Sequence, residues 1–308
     1  MALTYVDLDV HATMHFRPVL VNNIFVGHPL LTKMIAKQNV KIKGGKTIGQ
    51  PILIGKENSG AYSGMDRFNI TPVETTTIAE FEWKNRYANI TIVGDDLDKT
   101  MADDDRLDLL KTRTMGAEMT LKDDLADDLF GDGTSEDSKV FDGLKNGIGT
   151  GTYGGISPSD VSVWQSVVST TGGAVSLSRV QGWIEDTKYG QEQVDLIMCH
   201  KDLYKSLWNQ VQPQQRFLSG DSLLAKVGFR GIEIDGAQVM VDRHCPSGYM
   251  YGLNTDYWHM QIHPNKNFKW TKNKEMVDAD AYVRQILLKG NFFTSARRYH
   301  FKASRLTQ

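Results

Sequence analysis

From Val40 to about Val93 the chain reads as β structure in two parts, and this excursion constrains the fold more than any other feature. The first part is "NVKIKGGKTIGQPILIG". The second, "RFNITPVETTTIAEFEWKNRYANITIVG", is rich in Thr, Ile, Phe, Trp and Tyr. Ala79, Phe81 and Trp83 alternate with Glu80, Glu82 and Lys84, the pattern of a half-buried strand. Between the parts lies the polar, glycine-bearing turn region "GKENSGAYSGMDR". A two-stranded hairpin alone is marginal in water, so one this long needs a surface to lie on. If its own domain does not supply that surface, a neighbouring subunit must.

The triplet Gly45-Lys46-Thr47 in the first part matches the close of a phosphate-binding P-loop. The complete motif needs a glycine five residues before Gly45 and a helix after Thr47. Val40 occupies the glycine position, and Gly49 and Pro51 would break the first helical turn. A phosphate cradle works by aiming backbone N–H groups and a helix N-terminus at the anion, and this stretch provides no helix. Gly44, Gly45, Gly49 and Pro51 instead suit the bends of an extended loop, with Lys46 an exposed charge.

The spacing predicts one long helix over residues 103–130. Leu107, Leu110, Thr114, Ala117, Leu121, Leu125 and Leu129 recur at three- and four-residue steps and make an apolar stripe. Gly131 and Gly133 end it. The glycine-rich passage "GDGTSEDSKVFDGLKNGIGTGTYGGISPSD" reads as a crossover loop. Beyond about Val161 the pattern is α/β. "SLSRVQGWIEDTKYGQ" is a helix with Ser176 or Ser178 as N-cap, "VDLIMCH" a buried strand, and "KDLYKSLWNQVQ" a second helix. Asp235-Gly236 marks a hairpin turn, and the C-terminal part is β again, with a turn expected at Lys289-Gly290. Residues 1–38 read as an arm with short helical pieces, divided by Pro18 and Pro29.

At 308 residues the chain has ample length for a buried core. A net charge of −2 excludes a generally basic nucleic-acid binder. Cys199 and Cys245 do not make a disulfide framework and fit a reducing site of synthesis. The N-terminus lacks the regions of a signal peptide, and no apolar run approaches the ~20 residues of a transmembrane helix. A soluble protein made in the cytoplasm is expected.

Candidate chemistry is sparse. Asp95, Asp96, Asp98, Asp103, Asp104 and Asp105 could hold a divalent cation, but carboxylates at a helix start are also favoured by the helix dipole. "DGTSEDSKVFDG" has Asp137 where a calcium loop needs its sixth-position glycine. Cys199, His200, His244, Cys245, His259 and His263 lack paired metal-ligand spacings, and "YWHMQIHP" reads as a strand with a polar face. Arg297, Arg298, His300, Lys302 and Arg305 could touch phosphates or form one solvated strand face. No hydrolase elbow or catalytic triad is visible. No enzyme activity, metal or cofactor is expected.

The order of arm, β excursion, long helix, glycine-rich crossover, α/β region and final β strands resembles the major capsid proteins of tailed bacteriophages, with the Hong Kong 97-type fold. The most specific stretches are "TTTIAEFEWKNRYANITIVGDDL", "VFDGLKNGIGTG" and "IEIDGAQVMVDRHCPSGYMYGLNTDYWHM". The resemblance implies an α+β chain with an N-terminal arm (1–38) and an extended β-hairpin loop (39–76) that lies across the next subunit. It implies a peripheral domain (77–155) with a spine helix at 103–130, an axial α/β domain (156–265), and return strands (266–308) that complete the peripheral domain. Lys46, Ile48, Ile52, Ile54, Tyr62, Met65 and Phe68 are then expected at the subunit interface.

The implied function is self-assembly into pentamers and hexamers of an icosahedral shell around double-stranded DNA. The implied partners are other copies of the chain, a separate scaffolding protein, a portal, a decoration protein and DNA held without base specificity, with no membrane. The protein would be made in the host bacterial cytoplasm and reside in the virion. Many relatives carry a domain-sized scaffolding segment ahead of the arm, and the arm here is short. Some relatives cross-link a loop lysine to a neighbour; Lys46 and Lys56 are the available donors, with no acceptor identified. An encapsulin-like compartment of the same fold is the near alternative, and a nucleotide-binding enzyme using Lys46 the distant one.

Overall fold

The computed structural model describes residues 28–94, 103–211 and 232–308, with side chains throughout except in 103–109. In chain order the first strands are β1 (Val40–Ile42), β2 (Ile48–Leu53), β3 (Thr76–Phe81) and β4 (Lys84–Val93). Next come β5 (Val167–Ser169), β6 (Gly173–Ala174), β7 (Leu196–Cys199), β8 (Ile232–Ile234), β9 (Ala237–Val241) and β10 (Met250–Leu253). The last are β11 (Trp258–Ile262), β12 (Lys269–Trp270), β13 (Lys274–Glu275), β14 (Ala281–Thr294), β15 (Phe301–Ala303) and β16 (Leu306–Thr307). The main helices are α1 (Pro29–Ala36), α2 (Asp103–Phe130), α3 (Leu177–Thr187) and α4 (Lys201–Val211). Most of the expected arm lies outside the described residues, as do Asp95, Asp96 and Asp98.

The chain divides into two compact units, each assembled from separated stretches. The first comprises Met1–Gly45, Trp83–Leu144 and His259–Phe292. Its sheet is built on the long strand β14, which pairs antiparallel with β4 from Ala281↔Val93 to Gly290↔Lys84. β1 adds to the sheet in parallel with β11, Val40 opposite Met260. α2 packs on the β4 face that carries the buried Ala88, Ile90 and Ile92. The helix presents Leu110, Thr114, Ala117, Leu121, Leu125 and Leu129, all buried. That is the stripe read from the spacing; Leu107 lies among the side chains not described. Thr114 is accommodated because its hydroxyl donates to the Leu110 carbonyl at 2.7 Å.

β14 runs unbroken through Lys289-Gly290, where a turn was expected. Gly290 has another cause. A Cβ there would stand 2.7 Å from the Gln261 carbonyl oxygen, so glycine permits close approach of the neighbouring backbone.

The second unit comprises Lys46–Glu82, Lys145–Trp258 and Phe293–Gln308. Its main sheet has the order β5-β15-β10-β7-β9-β8, and β16 pairs separately with β6. α3 and α4 contribute Val180, Trp183, Ile184, Leu203 and Leu207 to a core shared with Ile197, Val239, Met250 and Phe301. Ser176 caps α3, its side-chain oxygen accepting from the Arg179 N–H. β8 and β9 form the hairpin expected at Asp235-Gly236, where φ is 49° and 80°. Two successive positive φ values give a two-residue turn whose twist matches the strands. The final strands β15 and β16 belong to the sheets of this unit.

Candidate subunit interface

β2 and β3 form the expected hairpin, paired antiparallel from Ile48↔Phe81 to Leu53↔Thr76. Because side chains alternate across a strand, Ile48, Gln50 and Ile52 share a face with Phe81, Ala79 and Thr77. On that face Ile48, Ile52, Ala79 and Phe81 are buried. Phe81 lies 4.9 Å from Tyr153 and stacks on Phe293 at 5.3 Å, centroid to centroid. The Glu80 N–H donates to the Gly154 carbonyl at 3.0 Å. Gly154 has φ +60°, and a Cβ there would fall 2.9 Å from that of Ala79, so only glycine fits both the conformation and the space. The hairpin root is thereby fixed to its own unit.

The opposite face is uncovered. Leu53 and Ile78 are exposed on it, flanking Pro51. Beyond the strands, residues 56–75 make a tip whose polar groups bond to one another. Asn58 Nδ2 donates to the Thr71 carbonyl at 2.6 Å, Thr75 Oγ1 to Glu57 Oε1 at 3.0 Å, and the Ser63 N–H to Asp66 Oδ2 at 2.8 Å. The apolar side chains point to solvent: Tyr62 is 67% exposed, Met65 101%, Phe68 66% and Ile70 90%. Tyr62 and Phe68 touch edge to face at 5.1 Å. Large apolar side chains exposed in such number make this tip the candidate contact surface among the described residues.

The expected interface residues therefore separate. Tyr62, Met65 and Phe68 stand in solvent, Lys46 is exposed at the root, Ile54 is half-buried, and Ile48 and Ile52 face inward. Ile70, Leu53 and Ile78 join the exposed set, though the sequence reading omitted them; alternation within "RFNIT" and "TTTIAEF" was the available signal.

Other candidates are placed as follows. After Thr47 the chain enters β2, so a strand and not a helix follows Lys46. In the first unit Trp83 Nε1 donates to the Gly45 carbonyl at 3.0 Å, with Lys289 Nζ 5.7 Å from its ring. Cys199 and Cys245 are buried, and burial pushes the Cys199 thiol up to about 12 and raises that of Cys245. Among the described residues no group of three His, Cys, Asp or Glu could hold a metal ion. No helix among them is long and apolar enough to cross a membrane.

The C-terminal basic cluster is not one solvated face. Arg297 is buried and donates to the carbonyls of Gly147 (2.9 Å), Gly151 (2.7 Å) and Trp164 (3.1 Å). Burial lowers its pKa to about 10. His300 is buried too, its Nδ1 accepting from the Asn254 N–H at 3.2 Å. Arg298 lies over the Tyr189 ring at 3.7 Å, and Lys302 Nζ donates to the Lys145 carbonyl at 2.9 Å. These side chains staple the crossover loop and the strands.

The chain is thus mixed α+β, with a sheet-and-long-helix unit, an α/β unit and a hairpin bearing an exposed apolar tip. Solved structures agree along nearly the whole chain. The capsid asymmetric unit of cyanophage A-1(L) is similar with a TM-score of 0.65 and 16% identity, over 92% of this chain and 94% of that one. The capsid of a native GTA particle is similar at 0.60 and 10% identity, over 89% and 90%. The SrpI encapsulin of Synechococcus elongatus PCC 7942 is similar at 0.57 and 11% identity, over 91% and 89%. No protein-family model and no curated protein matches the chain. The fold is that of phage capsid proteins, as the sequence resemblance implied.

Proposed function

We propose that this chain is the major capsid protein of a tailed phage, a structural protein rather than an enzyme. Copies of it assemble into pentamers and hexamers of an icosahedral shell that encloses double-stranded DNA. The observation that carries the reading is the hairpin: its root is fixed by Phe81 and Gly154, while Tyr62, Met65, Phe68 and Ile70 are offered to solvent. Laid on the next subunit, that tip makes a heterologous contact, the kind that closes into rings. A net charge near zero limits repulsion among many copies.

In this reading residues 39–76 are the extended loop, the 103–130 helix is the spine of a peripheral domain, and the α/β region is axial. A separate scaffolding protein, a portal and a decoration protein complete the particle, which holds DNA by contacts without base specificity. Synthesis in the host cytoplasm precedes incorporation into the virion. Electron microscopy of the purified chain should show rings, tubes or shells. A stable monomer under all conditions would defeat the proposal.

The similarity to the SrpI encapsulin supports a second reading, a cellular compartment that loads protein. Particle contents decide: nuclease-protected DNA favours the phage capsid, and a co-purifying protein without DNA favours the compartment.

A further inference from the structure

The hairpin tip carries one apolar side chain whose chemistry a mild oxidant can change. Tyr62, Phe68 and Ile70 do not react with dilute peroxide, whereas the Met65 thioether is a two-electron reductant. Among the described residues Met65 is the most exposed methionine, at 101% against 66% for Met119, and Met115 and Met276 are more covered still. Met34, Met198, Met250 and Met260 are buried. The thiols do not compete, because Cys199 and Cys245 are buried and only a thiolate reacts readily.

The backbone sets Met65 outward. Residues 63–66 form a tight turn, with Gly64 at φ 54°. Its ends are closed twice, the Asp66 N–H donating to the Ser63 carbonyl at 3.2 Å and the Ser63 N–H to Asp66 Oδ2 at 2.8 Å. Neither bond uses the Met65 side chain. A change at its sulfur therefore alters what the tip offers to a partner and leaves the turn intact.

We propose that Met65 is an oxidation site that switches the hairpin tip, with hydrogen peroxide as the class of oxidant. The sulfur lone pair attacks one peroxide oxygen, so an S–O bond forms and the O–O bond breaks. The departing hydroxide takes the proton of the transferred hydroxyl and leaves as water. Sulfur is oxidised by two electrons and the peroxide is reduced by two. The flexible apolar side chain becomes a polar sulfoxide. Burying that group on a neighbouring subunit would cost its hydration, so the oxidised tip docks poorly. A docked tip is covered in its turn, so oxidation acts on the free subunit and spares the finished shell. The switch rests on the assembly reading and deepens it.

The test treats the full chain with a limiting dose of hydrogen peroxide before assembly and follows each methionine by peptide mass spectrometry. Met65 should gain oxygen ahead of Met119, and particle yield by electron microscopy should fall at least tenfold. Methionine sulfoxide reductase with a thiol reductant should restore the yield. Met65→Leu, compared with its own untreated yield, should lose no more than twofold. Met119→Leu should stay as sensitive as the parent. Met65→Gln, which carries a polar acceptor without peroxide, should lower the yield tenfold at an unchanged melting temperature. Within formed particles Met65 should oxidise at least tenfold more slowly than in the free chain. Met119 oxidised ahead of Met65, full yield from the oxidised chain, equal sensitivity of Met65→Leu, or equal rates in shell and free chain would each overturn the switch and leave the capsid reading intact. A chain that forms no particles before peroxide is added would overturn both.

Discussion

Arg86 and Asp128 close a two-pronged ion pair, with Nε donating to Oδ2 at 2.7 Å and Nη2 donating to Oδ1. Asp128 is buried at the end of α2 and Arg86 nearly so on β4. Nη1 of Arg86 also reaches Glu136 at 3.2 Å, so one guanidinium joins strand, helix and the loop after it. Replacing Asp128 by Ala would leave Arg86 only its more exposed partner Glu136, at a cost of about 3 kcal/mol. Arg86→Lys keeps the charge but loses the planar fork, for about 1–2 kcal/mol. Denaturant titration of the two variants should show that order, and equal losses would refute the role given to fork geometry.

The hairpin root is predicted to depend on the glycine opposite it. Gly154→Val should strain a left-handed residue and drive a side chain into Ala79 and Phe81. A loss of about 2 kcal/mol or more is expected. Limited proteolysis should then cut within residues 46–82 faster than in the parent. Unchanged protection would show that the root is held elsewhere.

Stability and assembly should separate at the tip. Met65→Ser, Phe68→Ser and Ile70→Ser remove exposed apolar groups, so each should change folding stability by no more than about 0.5 kcal/mol. Particle yield, counted by electron microscopy, should fall at least tenfold in the triple variant. Normal yield would remove the tip from the interface.

Arg297 is a buried cation satisfied by backbone carbonyls and by the faces of Tyr153 (5.1 Å) and Trp164 (6.0 Å). Arg297→Ala would take a donor from four carbonyls, those of Asn146, Gly147, Gly151 and Trp164, and leave a large cavity, for a loss of about 3–5 kcal/mol. A melting temperature within two degrees of the parent would contradict this.

Glu118 on α2 has a buried oxygen, Oε1, with no hydrogen-bond partner among the described residues, and burial pushes its pKa from 4.5 up to about 7. The folded state therefore holds its proton longer than the unfolded chain, and stability falls as pH rises from about 4.5 to about 7. Glu118→Gln should raise neutral-pH stability by about 1 kcal/mol, allowing for solvent screening, and flatten that segment of the profile. Thermal melts at pH 5 and pH 7.5 check the sign. A variant less stable at pH 7.5 would mean the carboxylate is compensated.

Local periodicity carried most of what could be read in advance. The α2 stripe, the Ser176 cap and the Asp235-Gly236 turn each depend on residues a few positions apart, and each stands as expected. Pairing over long separations left no such trace, as with β1 beside β11. Alternation in "KTIGQPILIG" defined two faces but not which one the chain would cover, so Ile48 and Ile52 were grouped with residues that remain exposed. Arg297 and His300 looked like surface charge because their partners are carbonyls and rings far away in sequence.

The hydrogen bonds that cross the hairpin tip, from Asn58 to Thr71 and from Thr75 to Glu57, have a kinetic meaning. In the proposed assembly they would shape the loop before it meets a neighbour, so less backbone entropy would be lost on contact. Encounter would then proceed by docking a formed surface rather than by folding one in place. Growth of a shell would be governed by how often subunits collide in the right orientation.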